Sequence, residues 1–451
     1  MRTLANSVLL ALFIALMVIA RVAHAADNEA VGAEVAAIFS SGEVQTGSDA
    51  ADAQIENVRA YYETRTFKPI WTRDSGPKGK AKALLAELKT SAVHALSPEF
   101  YNVSEIERLM GSADPASLAR LDLLLTGSFV DFAGDLRNGR LGPGTPGAYN
   151  AVTPVAIEPS ELIGGAADAG NLRQFASQYL NADKRYIRLI TKLAELLRIK
   201  ASGEWPQIDA AGELIQAGGR DDRMTAIRKL LFLAGDLPLD ALQGGAVHDE
   251  TSIAAVQAFQ ERHGLRSTGD IDALTLEALA VPLAERVRQI RVNLERRRWQ
   301  NRDLEDDHLY LNLADNNIKL VLDGVTVGTY EIGEVDALKE MPSFFGEVTA
   351  VSASGAEGGP RLEVSSAFID HLGAHTGPGT IGVVEIDQLA EALRQAKNAS
   401  AGADGAVQFK KPITLYVTYV TAWATGDGGL FFRDDRFGRD GNLAALLQLE
   451  E

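Results

Sequence analysis

AVQAFQERHGL, Ala255–Leu265, followed by TGDIDALTLEAL, Thr268–Leu279, decides the reading of this chain. Ile253, Val256 and Phe259, and then Leu274, Leu276 and Leu279, recur at the three- and four-residue spacing of helices with one apolar face. Gly264 supplies the left-handed residue that ends a helix, Thr275 can help start the next, and Phe259 and Leu265 are core positions. Upstream, Ile227, Leu230 and Leu231 repeat the pattern, and Gly244-Gly245 and Thr268-Gly269 mark turns. The spacing predicts a compact unit of three helices over residues 220–283.

Working outward toward the N-terminus, helical spacing continues in Ile55, Val58, Tyr61 and Tyr62, in Leu84, Leu85 and Leu88, and in Leu121, Leu124, Leu125 and Phe129. Two more helices are expected near Leu172–Leu180 and Lys184–Lys200, before a linker at Trp205-Pro206. A helical domain over 55–210 follows. Gly142, Gly144 and Gly147 have dinucleotide-loop spacing, but Pro143 and Pro146 remove amide donors and no strand precedes them. Residues 26–54, rich in Ala, Gly, Ser and acids, are expected to be a flexible linker. Beyond Val287 the pattern changes: Leu309–Leu313, Ile318–Leu322 and Val325–Tyr330 alternate as strands, with a hairpin turn at Asp323-Gly324. The fold class expected is α+β, with a mainly β domain over 287–445.

Length and composition bound the function. A chain of 451 residues with 46% hydrophobic and 23% charged residues suits two or three folded domains. The formal charge of -17 repels phosphate backbones, which argues against nucleic acid as a partner. Cysteine is absent, so disulfides, thiolate metal sites and thiol nucleophiles are all excluded. Arg2, the apolar run Val8–Ala20 and Ala23-His24-Ala25 read as a secretory signal over residues 1–25, with an uncleaved inner-membrane anchor as the alternative. The expected location is the periplasm.

The segment Ala255–Leu279 resembles the three-helix peptidoglycan-binding module of bacterial cell-wall enzymes. On either side the resemblance extends to the YcbB-like L,D-transpeptidases. YYETRTFKPIW, Tyr61–Trp71, and DLRNGRLGP, Asp135–Pro143, are similar to their helical scaffold. VRQIRVNLERRRW, Val287–Trp299, is similar to the entry to their catalytic domain, and YVTYVTAWATGDGGLFFRDDRFGRD, Tyr416–Asp440, to its end. The resemblance implies a scaffold, a peptidoglycan-binding module and a YkuD-type domain, with peptidoglycan as partner and no cofactor.

It also implies a reaction in which a cysteine thiolate, in a His-Gly-Cys context with an arginine nearby, attacks a stem-peptide carbonyl. The resulting acyl-enzyme is resolved by an amine. The chain departs from that pattern. Counting back from the expected helix Leu389–Leu393 places Pro378-Gly379-Thr380-Ile381-Gly382-Val383 where the motif belongs, so Ile381 or Gly382 stands for the nucleophile and Val383 or Val384 for the arginine. Thr380, with His371 or His375 as base, is the imaginable substitute, but an unactivated hydroxyl is a poor nucleophile. The reading is therefore a catalytically inactive homologue that binds peptidoglycan, and conceivably a cell-wall synthesis enzyme, and modulates cross-linking. Its alternative is an active enzyme with a non-cysteine nucleophile; a third is a scaffold for a protein partner without affinity for the wall.

Other clusters carry less. Gln260, Arg262, His263 and Arg266 are placed on the outer part of the module as candidates for glycan or peptide contact. Arg291, Arg296, Arg297 and Arg298 either meet stem-peptide carboxylates or pair with the chain's own acids. Asp434, Asp435 and Asp440 lack the spacing of a calcium loop, and Glu305-Asp306-Asp307-His308 reads as a charged turn, so no metal site is assigned.

Overall fold

The computed structural model describes residues 28–41, 49–179, 184–300, 306–332, 341–352, 361–364, 380–382, 386–396, 399–402, 406–425 and 429–449. These divide into two compact units, one built from the chain up to Arg137 together with Val155–Leu180, the other from Asn138–Pro154 and everything after Asn181. The expected domain 55–210 is thus split, because residues 138–154 and the helix after 184 pack into the second unit.

The first unit is helical, with α1 (Glu29–Ser41), α2 (Asp49–Thr64) and α3 (Pro115–Asn138) as its longest elements. The expected linker is corrected by α1: Val31, Val35 and Phe39, four residues apart along one face, are buried in the same core as Tyr62, Trp71, Phe129 and Phe132. Asp74, remote in sequence, caps it by accepting from the Val31 amide at 2.9 Å. Asp122 on α3, fully buried, organises the FKPIW loop. Its Oδ1 accepts from Tyr62 Oη at 2.5 Å and the Ile70 amide at 2.9 Å, and its Oδ2 from the Trp71 and Thr72 amides at 2.7 Å each. A buried carboxylate is tolerated here because its lone pairs are taken up.

Beyond Asn138–Pro154 the second unit continues with α4 (Lys184–Ser202), whose Tyr186, Leu189, Leu193 and Leu196 are buried. The module follows as α5 (Met224–Ala234), α6 (Glu250–Arg262) and α7 (Ala273–Ala280). Ile227, Leu230, Leu231, Val256, Phe259, Leu276 and Leu279 form its core as the spacing predicts, joined by Met224, whereas Ile253 and Leu265, also expected there, are half-buried and outside it. Leu274 does not join them and is 60% exposed, because it lies in the first turn of α7, on the side away from Leu276 and Leu279. Helix α8 (Leu283–Trp299) leads into the sheet.

Among the described residues the sheet has eight strands: β1 (His308–Asn312), β2 (Asn317–Leu322), β3 (Val325–Glu331), β4 (Phe344–Ser352), β5 (Arg361–Val364), β6 (Thr380–Gly382), β7 (Ala399–Ala401) and β8 (Val407–Thr418). The order is β3-β2-β1-β8-β4-β5-β6, with β7 paired to β8; β8 runs parallel to β1, and the other pairs are antiparallel. Asp323 and Gly324, at φ 50° and 74°, make the expected tight turn between β2 and β3. Helix α9 (Ile386–Leu393) covers the sheet through Leu389 and Leu393, packed with Leu309, Ile318, Val348 and Leu415. A short hairpin, β9 (Ala422–Ala424) and β10 (Leu430–Phe432), and helix α10 (Arg439–Leu446) close the unit. No helix among the described residues is long and apolar enough to cross a membrane.

Candidate functional site

Two of the module's helices, α6 and α7, start on side chains that satisfy free amides. Asp249 accepts from the Ser252 amide at 3.0 Å and Asp272 from the Thr275 amide at 2.9 Å. Gly264 takes φ 70° where α6 ends. Around that end lie the residues expected to meet the wall, and the structure turns three of the four inward. Gln260 is fully buried: its Nε2 donates to Asp270 O at 2.7 Å and Thr275 Oγ1 at 3.0 Å, and its Oε1 accepts from the Gly269 amide at 2.9 Å. Arg262 pairs with Asp236 and donates to Leu430 O on β10. His263 stacks on Phe259 at 3.8 Å and on Phe432 at 5.6 Å, with Nδ1 donating to Phe259 O at 2.8 Å. Only Arg266 is exposed.

Arg262 and His263 bridge the module to the C-terminal hairpin, whereas Gln260 ties α6 to the turn before α7. Arg433 returns the contact, donating to Arg262 O at 3.0 Å and pairing with Asp315. Burial, followed by the Arg286 guanidinium, holds the His263 pKa well below its usual value, so the ring is neutral. Burial pushes Asp236 up to about 6, against the pull of Arg262.

The arginine run of α8 and the Asp-rich tail also pair with each other. Arg296 meets Asp440 at 2.5 Å, and Thr421 Oγ1 donates to the same carboxylate at 2.6 Å. Asn293 clamps Thr421, donating from Nδ2 to its Oγ1 at 2.7 Å and accepting from its amide at 3.0 Å. Glu295, fully buried, pairs with Arg298 at 2.6 Å and accepts from Trp299 Nε1 at 3.1 Å and the Leu141 amide at 2.8 Å. Gly139 sits against this pair at φ 82°, where a Cβ would come within 2.7 Å of Glu295 and Trp299. Arg297 donates to Gln300 at 2.8 Å, and Arg291 is half-buried. Asp435 caps α10, accepting from the Arg439 amide at 2.8 Å, the Asp440 amide at 2.7 Å and Tyr419 Oη at 3.0 Å. The pairing reading of this arginine cluster therefore describes Arg296 and Arg298, and Asp435 and Asp440 are engaged as cap and counter-ion.

At the expected catalytic position, Thr380, Ile381 and Gly382 form β6, the last strand on one side of the sheet, antiparallel to β5 with Ile381 opposite Leu362. His371, His375, Val383 and Val384 lie outside the described residues. The strand is placed by backbone pairing, and no thiol stands on it or elsewhere in the sequence.

Comparison with protein families places two of these regions. Residues 56–193 match the model described as the Scaffold domain, and residues 226–279 match that of a peptidoglycan binding domain. No curated protein matches the chain. The first match covers the helices around Asp122 and the NGRLGP stretch, and the second covers α5, α6 and α7. The chain therefore carries the scaffold domain of the YcbB-type L,D-transpeptidases and, after it, a peptidoglycan-binding domain.

Proposed function

We propose that this protein is a periplasmic, catalytically inactive relative of the L,D-transpeptidases that binds peptidoglycan and scaffolds or modulates cell-wall cross-linking. The observation that carries the reading is the complete absence of cysteine from a chain with the family's scaffold and binding domains. Thiolate attack is the step that makes an acyl-enzyme possible near neutral pH, and a hydroxyl without an activating base does not replace it. Binding survives such a loss, because it depends on a module with its own buried core and with α6 and α7 capped by Asp249 and Asp272. Three of the four residues first expected at the ligand surface are engaged inside the unit, so wall contact falls to the module's exposed side, where Arg266 lies.

Sedimentation of the mature protein with purified sacculi, followed by mass analysis of the digested muropeptides, tests this. Co-sedimentation with an unchanged muropeptide profile is expected. New cross-links or trimmed stems, abolished by Thr380→Ala, would establish the hydroxyl enzyme instead. Failure to sediment, with capture of a cross-linking enzyme, would leave only a protein scaffold.

A further inference from the structure

A cavity of about 150 Å³ lies where the module, α4, α8 and the β9–β10 hairpin meet in the second unit. Its walls are mainly apolar, among them Leu196, Trp205, Leu230, Phe259 and Phe432, with Arg286, Arg262 and the Lys192–Glu195 pair as the charged groups on them. The volume is roughly that of an engineered cavity that takes up benzene. Arg286 is 8% exposed and lies over the Phe432 ring at 4.5 Å. Two of its donors are used, to Ala278 O at 3.0 Å and Gln289 Oε1 at 3.2 Å.

What Arg286 lacks is a counter-ion. Among the described residues no carboxylate lies within ion-pair distance of it. Its acidic neighbours Glu285 and Asp434 act on it only through space, and Glu285 is paired with Arg288. The other charged groups close by are matched: Arg262 with Asp236, Arg433 with Asp315, and Lys192 with Glu195 at 2.7 Å. Burial, against the pull of Asp434 and with Arg262 nearby, pushes the Arg286 pKa down to about 10. A buried guanidinium with spare donors is a planar receptor for carboxylate.

We propose that this cavity binds a small aliphatic carboxylate, its acid on Arg286 and its alkyl group among Leu196, Trp205 and Phe432. The shared chemistry has two sources, a free short-chain acid or the alanyl end of a peptide. The site does not depend on wall binding through the module's exposed side, so it stands or falls separately from the sacculus assay. Because Trp205 lines the cavity, ligand entry changes the intrinsic fluorescence of the full-length protein.

The probes are propionate, D-alanyl-D-alanine and, as the charge control, propylamine, each titrated at constant ionic strength. Saturable millimolar or tighter binding of an acid probe, with none of the amine, is expected. Binding of propionate alone would assign the free acid, and tighter binding of the dipeptide would assign the peptide end. Arg286→Gln is expected to weaken binding at least tenfold and Arg286→Lys less, with both melts recorded. Ala278→Leu, which narrows the cavity and leaves Arg286 in place, is expected to abolish binding. Saturable binding of neither acid to the wild-type protein, or equal binding by the amine, would overturn the proposal.

Discussion

Two regions of the second unit contain stretches that resemble L,D-transpeptidase motifs, and they do so in opposite ways. In one, NGRLGP, ERRRW and the DDRFGRD tail lock together through Glu295, Arg296, Arg298, Asn293, Thr421, Asp435 and Asp440, all in close hydrogen-bonded pairs. In the other, where the resemblance places the reaction, the short strand β6 ends one side of the sheet among the described residues, with Thr380-Ile381-Gly382 and no thiol. The motifs that make the chain recognisable are largely fasteners. Fasteners of this kind hold a frame together, whereas thiolate chemistry needs a residue type that the sequence lacks. A buried charge network must be complete to be tolerated, so its members persist or fail together. A nucleophile has no such partners in packing.

The contrast predicts unequal costs. Glu295→Ala strips Arg298 of its counter-ion in a fully buried setting and should destabilise by about 3–5 kcal/mol, read from denaturant unfolding. A loss below about 1 kcal/mol would mean that the network is dispensable. The junction between module and hairpin should show itself in pH. Asp236 is pushed up to about 6 in the folded chain from the ordinary 3.8. Between these values the folded state holds more protons than the unfolded one, so its contribution to stability is fullest below about pH 4 and is lost as pH rises through about 6. The change amounts to at most about 3 kcal/mol, and Asp236→Asn should flatten that part of the stability profile.

Gly139→Ala combines φ 82° with a Cβ driven against Glu295 and Trp299, and about 2–3 kcal/mol is expected. A thermal melt unchanged from wild type would show that the NGRLGP turn is not held as described. The smallest effect belongs to the other region: Thr380→Ala, on the terminal strand, should shift stability by no more than about 0.5 kcal/mol and leave the muropeptide products of incubated sacculi as they were. Any loss of a product in that variant would break the comparison.

How much could be read in advance follows the same division. The module, the tight turn at Asp323-Gly324 and the order of helices before strands are local patterns, and periodicity revealed them. Helix α1 was also written locally, in Val31, Val35 and Phe39, but its Ala- and Gly-rich composition concealed a signal of only three apolar residues. Gln260, Arg262 and His263 are polar residues near a helix end, where exposure is the ordinary outcome. Arg262 and His263 are buried against residues 430–432, some 170 positions away, and Gln260 against the turn before α7. The Arg286 cavity is assembled from residues 192–205, 230–286 and 430–432, and no short stretch announces it.

The most direct test of the central claim is the intact mass of the protein after incubation with a disaccharide tetrapeptide. The frame without its nucleophile predicts an unchanged mass at every time point. A gain equal to the acyl fragment left when the terminal alanine departs would contradict it, and mapping the modified residue would locate the nucleophile.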